Sequence, residues 1–184
     1  MKLNLSIKEM TIVGMCAALM AIFSQLSIPL PFTSVPVTLQ VFGLVILAII
    51  VGAKVGTLSL IVYVIIGAIG LPVFANFHSG FGIIVGPTGG YIIGFVIMAF
   101  LIGLASSKEN KIILFSVSYI GVLIDLILGT IQLKIVTGMT LNAALIAGLY
   151  PFIFKDLITV SIAVLIGLRV KKSVSSILTK NAVA

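Results

Sequence analysis

The sequence predicts an all-α integral membrane bundle of six transmembrane helices, with both termini cytoplasmic and a short extra helix in an outer loop. Composition is the first of three observations behind this. The 184 residues are 61% hydrophobic and only 8% charged, with a mean hydropathy of +1.40. A soluble chain of this length needs a charged shell that these residues do not supply. The second observation is length. Apolar runs recur at close to the roughly 20 residues that carry a helix, at about 1.5 Å per residue, across the hydrocarbon core. The third is a division of the chain by residue type. Pro29, Pro31, Pro36, Pro72, Pro87 and Pro151 fall toward one face. Lys2, Lys8, Lys54, Lys108, Lys111, Arg169, Lys171, Lys172 and Lys180 fall toward the other.

The spans are expected near 10–28, 37–53, 55–71, 84–105, 112–133 and 151–169. The first follows Lys2 and Lys8 and has the outline of a signal peptide. Its uncharged stretch is long for one, and no small-x-small cleavage site follows, so it is read as a membrane helix. The second and third are short and meet at Val51-Gly-Ala-Lys-Val-Gly56, where a tight turn is expected. Positive charge favours the cytoplasmic side. An even number of spans with both termini inside places nine of the eleven cations there; the exceptions are Lys134 and Lys155. The net charge of +7 is thereby a topology signal, and no nucleic-acid partner is expected.

The outer connections are Pro29–Pro36, Pro72–Ile83 and about 134–150. In the last, Thr140 to Gly148 reads as a short helix capped by Thr140 or Asn142. Pro151 then suits the first turn of span six. Gly70 to Gly90 holds six of the 18 glycines. Irregular backbone at membrane depth persists where protein buries it or it lines a cavity, so this segment points to a pocket. The chain shows no long internal repeat, and residues 1–184 are read as one transmembrane substrate-binding domain.

The sequence contains no G-x-x-x-x-G-K-[ST] loop and no metal-ligand cluster, and Cys16 and His78 are the lone residues of their types. No enzyme, metal or cofactor is expected. Gly14, Ala17, Ala18 and Ala21 share a face of the first helix, and Ala17-x-x-x-Ala21 is a small-xxx-small pattern that serves either a partner or the chain's own bundle. Ionisable residues inside apolar runs mark cavities or structural pairs; here they are Asp125, Lys134, Lys155 and Asp156. Asp125 is read as a helix–helix hydrogen bond and Lys134 as snorkelling to the interface. Lys155 and Asp156 point about 100° apart on a helix, so each can address a different part of one ligand. Asn76 offers donors and acceptors from the Gly-rich segment, or caps a loop. Gln40 faces either a pocket or a neighbouring helix.

Four strings together resemble the BioY family, the biotin-binding S components of energy-coupling factor (ECF) vitamin transporters. They are Val35-Pro-Val-Thr-Leu-Gln40, Gly70-Leu-Pro-Val-Phe-Ala75, Gly86-Pro-Thr-Gly-Gly-Tyr91 followed by Gly94, and Pro151-Phe-Ile-Phe-Lys-Asp-Leu157. The resemblance covers about residues 10–170. It implies a six-helix fold that captures biotin from outside and works with a transmembrane coupling subunit and two cytoplasmic ATPases, the only users of ATP. It implies a docking role for Ala17 and Ala21. The family's last motif reads Pro-Phe-x-Pro-Gly-Asp-Leu-x-Lys; here Phe154 replaces the second Pro, Lys155 the Gly and Thr159 the Lys. Residues 155 and 159 share a helix face, so Lys155 restores the cation one turn nearer the outside. Asp156 is expected to accept a ureido N–H and Asn76 to bond the other ureido atoms. Thr88, Gly89, Gly90 and Tyr91 are expected to shape one wall. The alternatives are an S component for another vitamin and a self-sufficient secondary transporter.

Overall fold

The computed structural model describes residues 5–108 and 110–181, with side chains through Val174. Lys2 and the side chain of Lys180, both assigned above to the basic face, lie outside this range. The order is α1 (Ile7–Gln25), β1 (Ser27–Ile28), β2 (Val37–Thr38), α2 (Gln40–Ala68), a 3₁₀ turn (Ala75–Phe77), α3 (Phe81–Val85), α4 (Gly89–Ala105), a second 3₁₀ turn (Ser106–Lys108), α5 (Lys111–Thr137), α6 (Leu141–Gly148) and α7 (Tyr150–Asn181). Among the described residues, five helical stretches are long and apolar enough to cross a membrane. Their outward faces carry Ile93, Ile97, Phe100 and Leu104 on α4 and Ile120, Leu123, Ile127 and Ile131 on α5, all exposed. Such apolar stripes at helical spacing have only lipid to face, so the chain is a multi-pass membrane protein.

The expected turn in 51–56 is a reversal inside α2. Gly52 has φ 78° and ψ 179°, a conformation open to glycine and closed to residues with a Cβ. Beyond it the chain runs back. A Cβ on Gly56 would lie 3.5 Å from the Ala48 Cα, and Gln40 Nε2 donates to Tyr63 Oη at 2.9 Å. In a straight helix residues 40 and 63 would stand about 35 Å apart.

Local signals fix the other boundaries. Ser6 and Glu9 form a capping box at the start of α1. Asn110 accepts from Ile112 and Ile113 at the start of α5, and Gly138 ends it with φ 70°. Thr140 caps α6 by accepting from Ala143 N. Pro151 sits in the first turn of α7, where no intrahelical partner is lost. The short α3 and the strands are absent from the sequence reading: β1 and β2 form a two-residue antiparallel ribbon, Ser27 opposite Thr38 and Ile28 opposite Val37. It closes the Pro29–Pro36 connection at its base.

Described cations away from the cavity gather at one end, Lys134 in the last turn of α5 excepted. Lys54 Nζ meets Glu9 Oε1 at 2.8 Å, setting the α2 reversal beside the start of α1. Gly103 of α4 packs against Ala53 so closely that a Cβ would lie 2.4 Å from its Cα. Lys171 Nζ donates to Ser106 O at 2.7 Å, bringing α7 to the α4–α5 connection. Leu44, Ile49, Leu60, Met98, Ile102, Val160 and Val164 fill the centre. The opposite end holds the irregular segments.

Candidate functional site

The last residues of α1 shape the irregular end. Gln25 Nε2 donates to Phe74 O at 3.0 Å, and its Oε1 accepts from Phe77 N at 2.9 Å. Ser24 Oγ donates to Val73 O. Ser27 Oγ donates to Asn76 Oδ1 at 2.8 Å. These bonds hold a segment in which Asn76 (φ 57°) and Phe77 (φ 59°) are left-handed although neither is glycine. The Phe74 ring is 2% exposed and meets Tyr63 edge-on with centroids 5.6 Å apart. Across the bundle, Gln132 Nε2 on α5 donates to Ile84 O and Gly86 O at 2.7 and 2.8 Å, fixing the turn before α4.

Between these anchors lies a cavity of about 200 Å³. Its wall is mainly apolar, built by residues such as Val41, Ile83, Ile92, Phe95, Leu126 and Phe152. Polar groups enter from five directions: Thr38 and Gln40 at the ribbon and start of α2, Asn76 and His78 from the outer segment, Thr88 before α4, Asp125 on α5, and Lys155 with Asp156 on α7. Ser34, Val35 and Pro36 border it from the Pro29–Pro36 connection. Both outer segments therefore reach the cavity.

Six of the eight residues named from sequence meet here: Gln40, Asn76, Thr88, Tyr91, Lys155 and Asp156. Gln40 is buried and spends its amide N–H on Tyr63. The Tyr91 ring lines the wall, while its hydroxyl donates to Gly148 O at 2.7 Å. Gly89 and Gly90 stand one layer behind. A Cβ on Gly89 would fall 1.7 Å from Ile84 O, and one on Gly90 2.4 Å from Leu128 O. Their contribution is to let α4 close on the α3 turn and on α5, which sets where Tyr91 stands.

Lys155 and Asp156 pair with each other. Lys155 Nζ lies 2.8 Å from Asp156 Oδ1, with side-chain exposures of 22% and 2%. The lysine also reaches Thr38 O at 3.4 Å and lies 5.8 Å from the centre of the Phe152 ring. Several polar lining groups escape the sequence reading, Thr38, Tyr63 and Asp125 among them. Tyr63 had one signal, a polar residue that needed a partner inside an apolar run. Asp125 was read as a helix–helix hydrogen bond; it packs against Gly94 of α4 and borders the cavity, 2% exposed, with no hydrogen-bond partner for Oδ1 among the described residues. Among those residues no group of three or more His, Cys, Asp or Glu is placed to hold a metal ion. An apolar pocket with a few convergent polar groups suits a small organic ligand that has both kinds of surface.

On α1 the four small residues divide. Ala17 is buried at 4% exposure and Ala21 is half-buried, whereas Gly14 and Ala18 face outward.

The comparisons agree with this architecture. The signature of the BioY family matches residues 1–176. A biotin transporter BioY of Thermotoga maritima is 42% identical over 160 residues, covering 86% of this chain and 93% of the relative. A probable biotin transporter BioY of Pyrococcus horikoshii is 38% identical over 164 residues, 89% of this chain and 96% of the relative. The crystal structure at 2.1 Å of an S component for biotin from an ECF-type ABC transporter superposes with a TM-score of 0.82. It is 31% identical and covers 94% of this chain and 95% of its own. With the signature running through nearly the whole sequence and the fold shared end to end, the chain belongs to the BioY family.

Proposed function

We propose that this protein captures biotin outside the cell and takes it up as the S component of an ATP-driven ECF transporter. The observation that carries the site assignment is the meeting of Asp156, Lys155 and Asn76, from segments far apart in sequence, in one apolar cavity. Biotin has an apolar bicycle, a ureido group with two N–H donors and a carbonyl, and a carboxylate tail. Asp156 accepts a ureido N–H. Asn76 already accepts from Ser27 through Oδ1, so its amide N–H groups are left to donate to the ureido carbonyl. Lys155 pairs with Asp156 in the empty state and lies within reach of an anionic tail. Gln40, Thr88 and Tyr91 shape the walls, with Gly89 and Gly90 supporting Tyr91.

The cation-rich end is the cytoplasmic end by the positive-inside rule. The reversal at Gly52 counts α2 as two passes, which gives six passes and returns both termini to the cytoplasm. The Pro29–Pro36 and Phe74–His78 segments border the opening and act as the lid. The chain has no phosphate-binding loop of its own, so ATP hydrolysis belongs to two cytoplasmic partner subunits, joined through a transmembrane coupling subunit. Gly14 and Ala18, exposed one turn apart on α1, supply the close-approach surface for that subunit. Ala17 and Ala21 support it from the inner side.

Equilibrium binding of labelled biotin to the purified protein, with other unlabelled vitamins as competitors, tests the reading. Tight binding that other vitamins do not displace and that Asp156→Ala abolishes is expected. An absence of binding at millimolar biotin rejects the substrate.

A further inference from the structure

Asp125 is the second carboxyl of the cavity, and no described group donates to its Oδ1. It lies on α5, 2% exposed, and borders the cavity with Oδ1 lacking a hydrogen-bond partner among the described residues. On the facing helix the nearest hydroxyl, Tyr91, donates to Gly148 O instead. At the contact that helix supplies Gly94, approached so closely that a Cβ there would lie 2.3 Å from Asp125 Oδ1 and 2.8 Å from its Cα. A helix–helix hydrogen bond, the ordinary reason for an aspartate in an apolar span, is therefore not made on that side. The one lysine at the cavity is engaged elsewhere, with Asp156 at 2.8 Å and Thr38 O at 3.4 Å. Burying a carboxyl without a donor is costly, and a ligand N–H in the cavity removes that cost.

The ligand side supplies a matching vacancy. Asn76 accepts from Ser27 through Oδ1 and is left with donors for a ureido carbonyl. The two ureido N–H groups then need two acceptors, and Asp156 is only one of them. We infer that Asp125 is a ligand-binding residue that accepts the second N–H of the cyclic urea, so that α5 and α7 grip the ureido ring through one carboxyl each. This rests on the biotin reading above and extends it to a residue and a helix outside the motifs that suggested it.

The test is a coupling measurement between protein and ligand. Affinities of wild type and Asp125→Asn are measured for biotin and for its two mono-N-methyl ureido derivatives. Asp125→Asn is expected to weaken biotin binding about ten- to a hundredfold, the range for a charge-assisted hydrogen bond. That loss is expected to disappear for the derivative methylated on the nitrogen facing α5 and to persist for the other. Equal losses on all three ligands, or no loss on biotin, overturn the assignment. Should Asp125→Asn fail to fold, wild type alone decides. Both methyl derivatives are expected to bind at least about tenfold more weakly than biotin, and one that binds as biotin does overturns the two-carboxyl grip. Wild-type protein that binds no biotin rejects the substrate reading and this assignment with it, a result distinct from biotin binding that ignores Asp125.

Discussion

Lys155 and Asp156 are consecutive residues of one helix, yet Nζ and Oδ1 meet at 2.8 Å. Their Cα–Cβ vectors diverge by about 100°, so the contact depends on the lysine chain bending back along α7. That bend also brings Nζ to Thr38 O beside the ribbon. The ammonium thus ties the start of α7 to the start of α2 across the cavity.

Removing the lysine should cost stability as well as affinity. Breaking a buried ion pair from one side typically costs about 3–5 kcal/mol; the 22% exposure of Lys155 brings the expected cost down to about 2 kcal/mol. Lys155→Met should lower the melting temperature in detergent, and adding Asp156→Asn should recover more than half of the loss. The single buried Cys16 makes a thiol-reactive dye a reporter of unfolding in a chain with no Trp. A double variant no more stable than Lys155→Met would show that the charges do not interact.

Gln25 should control how long the ligand stays. It bonds Phe74 O and Phe77 N and so holds the left-handed pair Asn76 and Phe77, a conformation that costs on the order of 1–3 kcal/mol per residue. Gln25→Ala is expected to speed biotin release about tenfold, from about 1–2 kcal/mol of lost hydrogen bonding. Adding Phe77→Gly, at an exposed side chain, relieves the strain and should restore part of the stability. Unchanged release kinetics in Gln25→Ala would mean that the outer segment holds its shape without α1.

Gly94→Ala should damage fold and site together. Its Cβ would meet the Asp125 Cα at 2.8 Å, so α4 and α5 must separate, at an overpacking cost of about 1–3 kcal/mol. Melting temperature and biotin affinity are expected to fall in parallel. A variant that retains both would show that the two helices leave more room than the described packing.

The sequence made the helices legible because apolar runs separated by cations have one reading in a bilayer. Thr140, Pro151 and the Val51–Gly56 turn were legible because each residue type has a specific backbone consequence. The glycines of 70–90 marked the irregular end correctly as a region, but not residue by residue. Gly89 and Gly90 pack helices, and nothing in a glycine's identity separates packing from lining. The β1–β2 ribbon was hidden because two-residue strands are too short to show alternation. The cavity beside Asp125 was hidden because a lone aspartate in an apolar span looks the same whether or not the helix it packs against supplies a donor. Gln25 gave no signal, since its partners are backbone atoms about fifty residues away.

The Gly52 reversal sets how deep the cavity reaches. The first arm of α2, about a dozen residues from Gln40 to the turn, rises only about 18 Å. The hydrocarbon is about 30 Å thick. Gln40 borders the cavity, so a molecule resting against it stands about 18 Å from the turn beside the Lys54–Glu9 pair. On the proposed topology the transport cycle has only that stretch to move it through, and a modest tilt of the bundle covers a short path more readily than a full crossing.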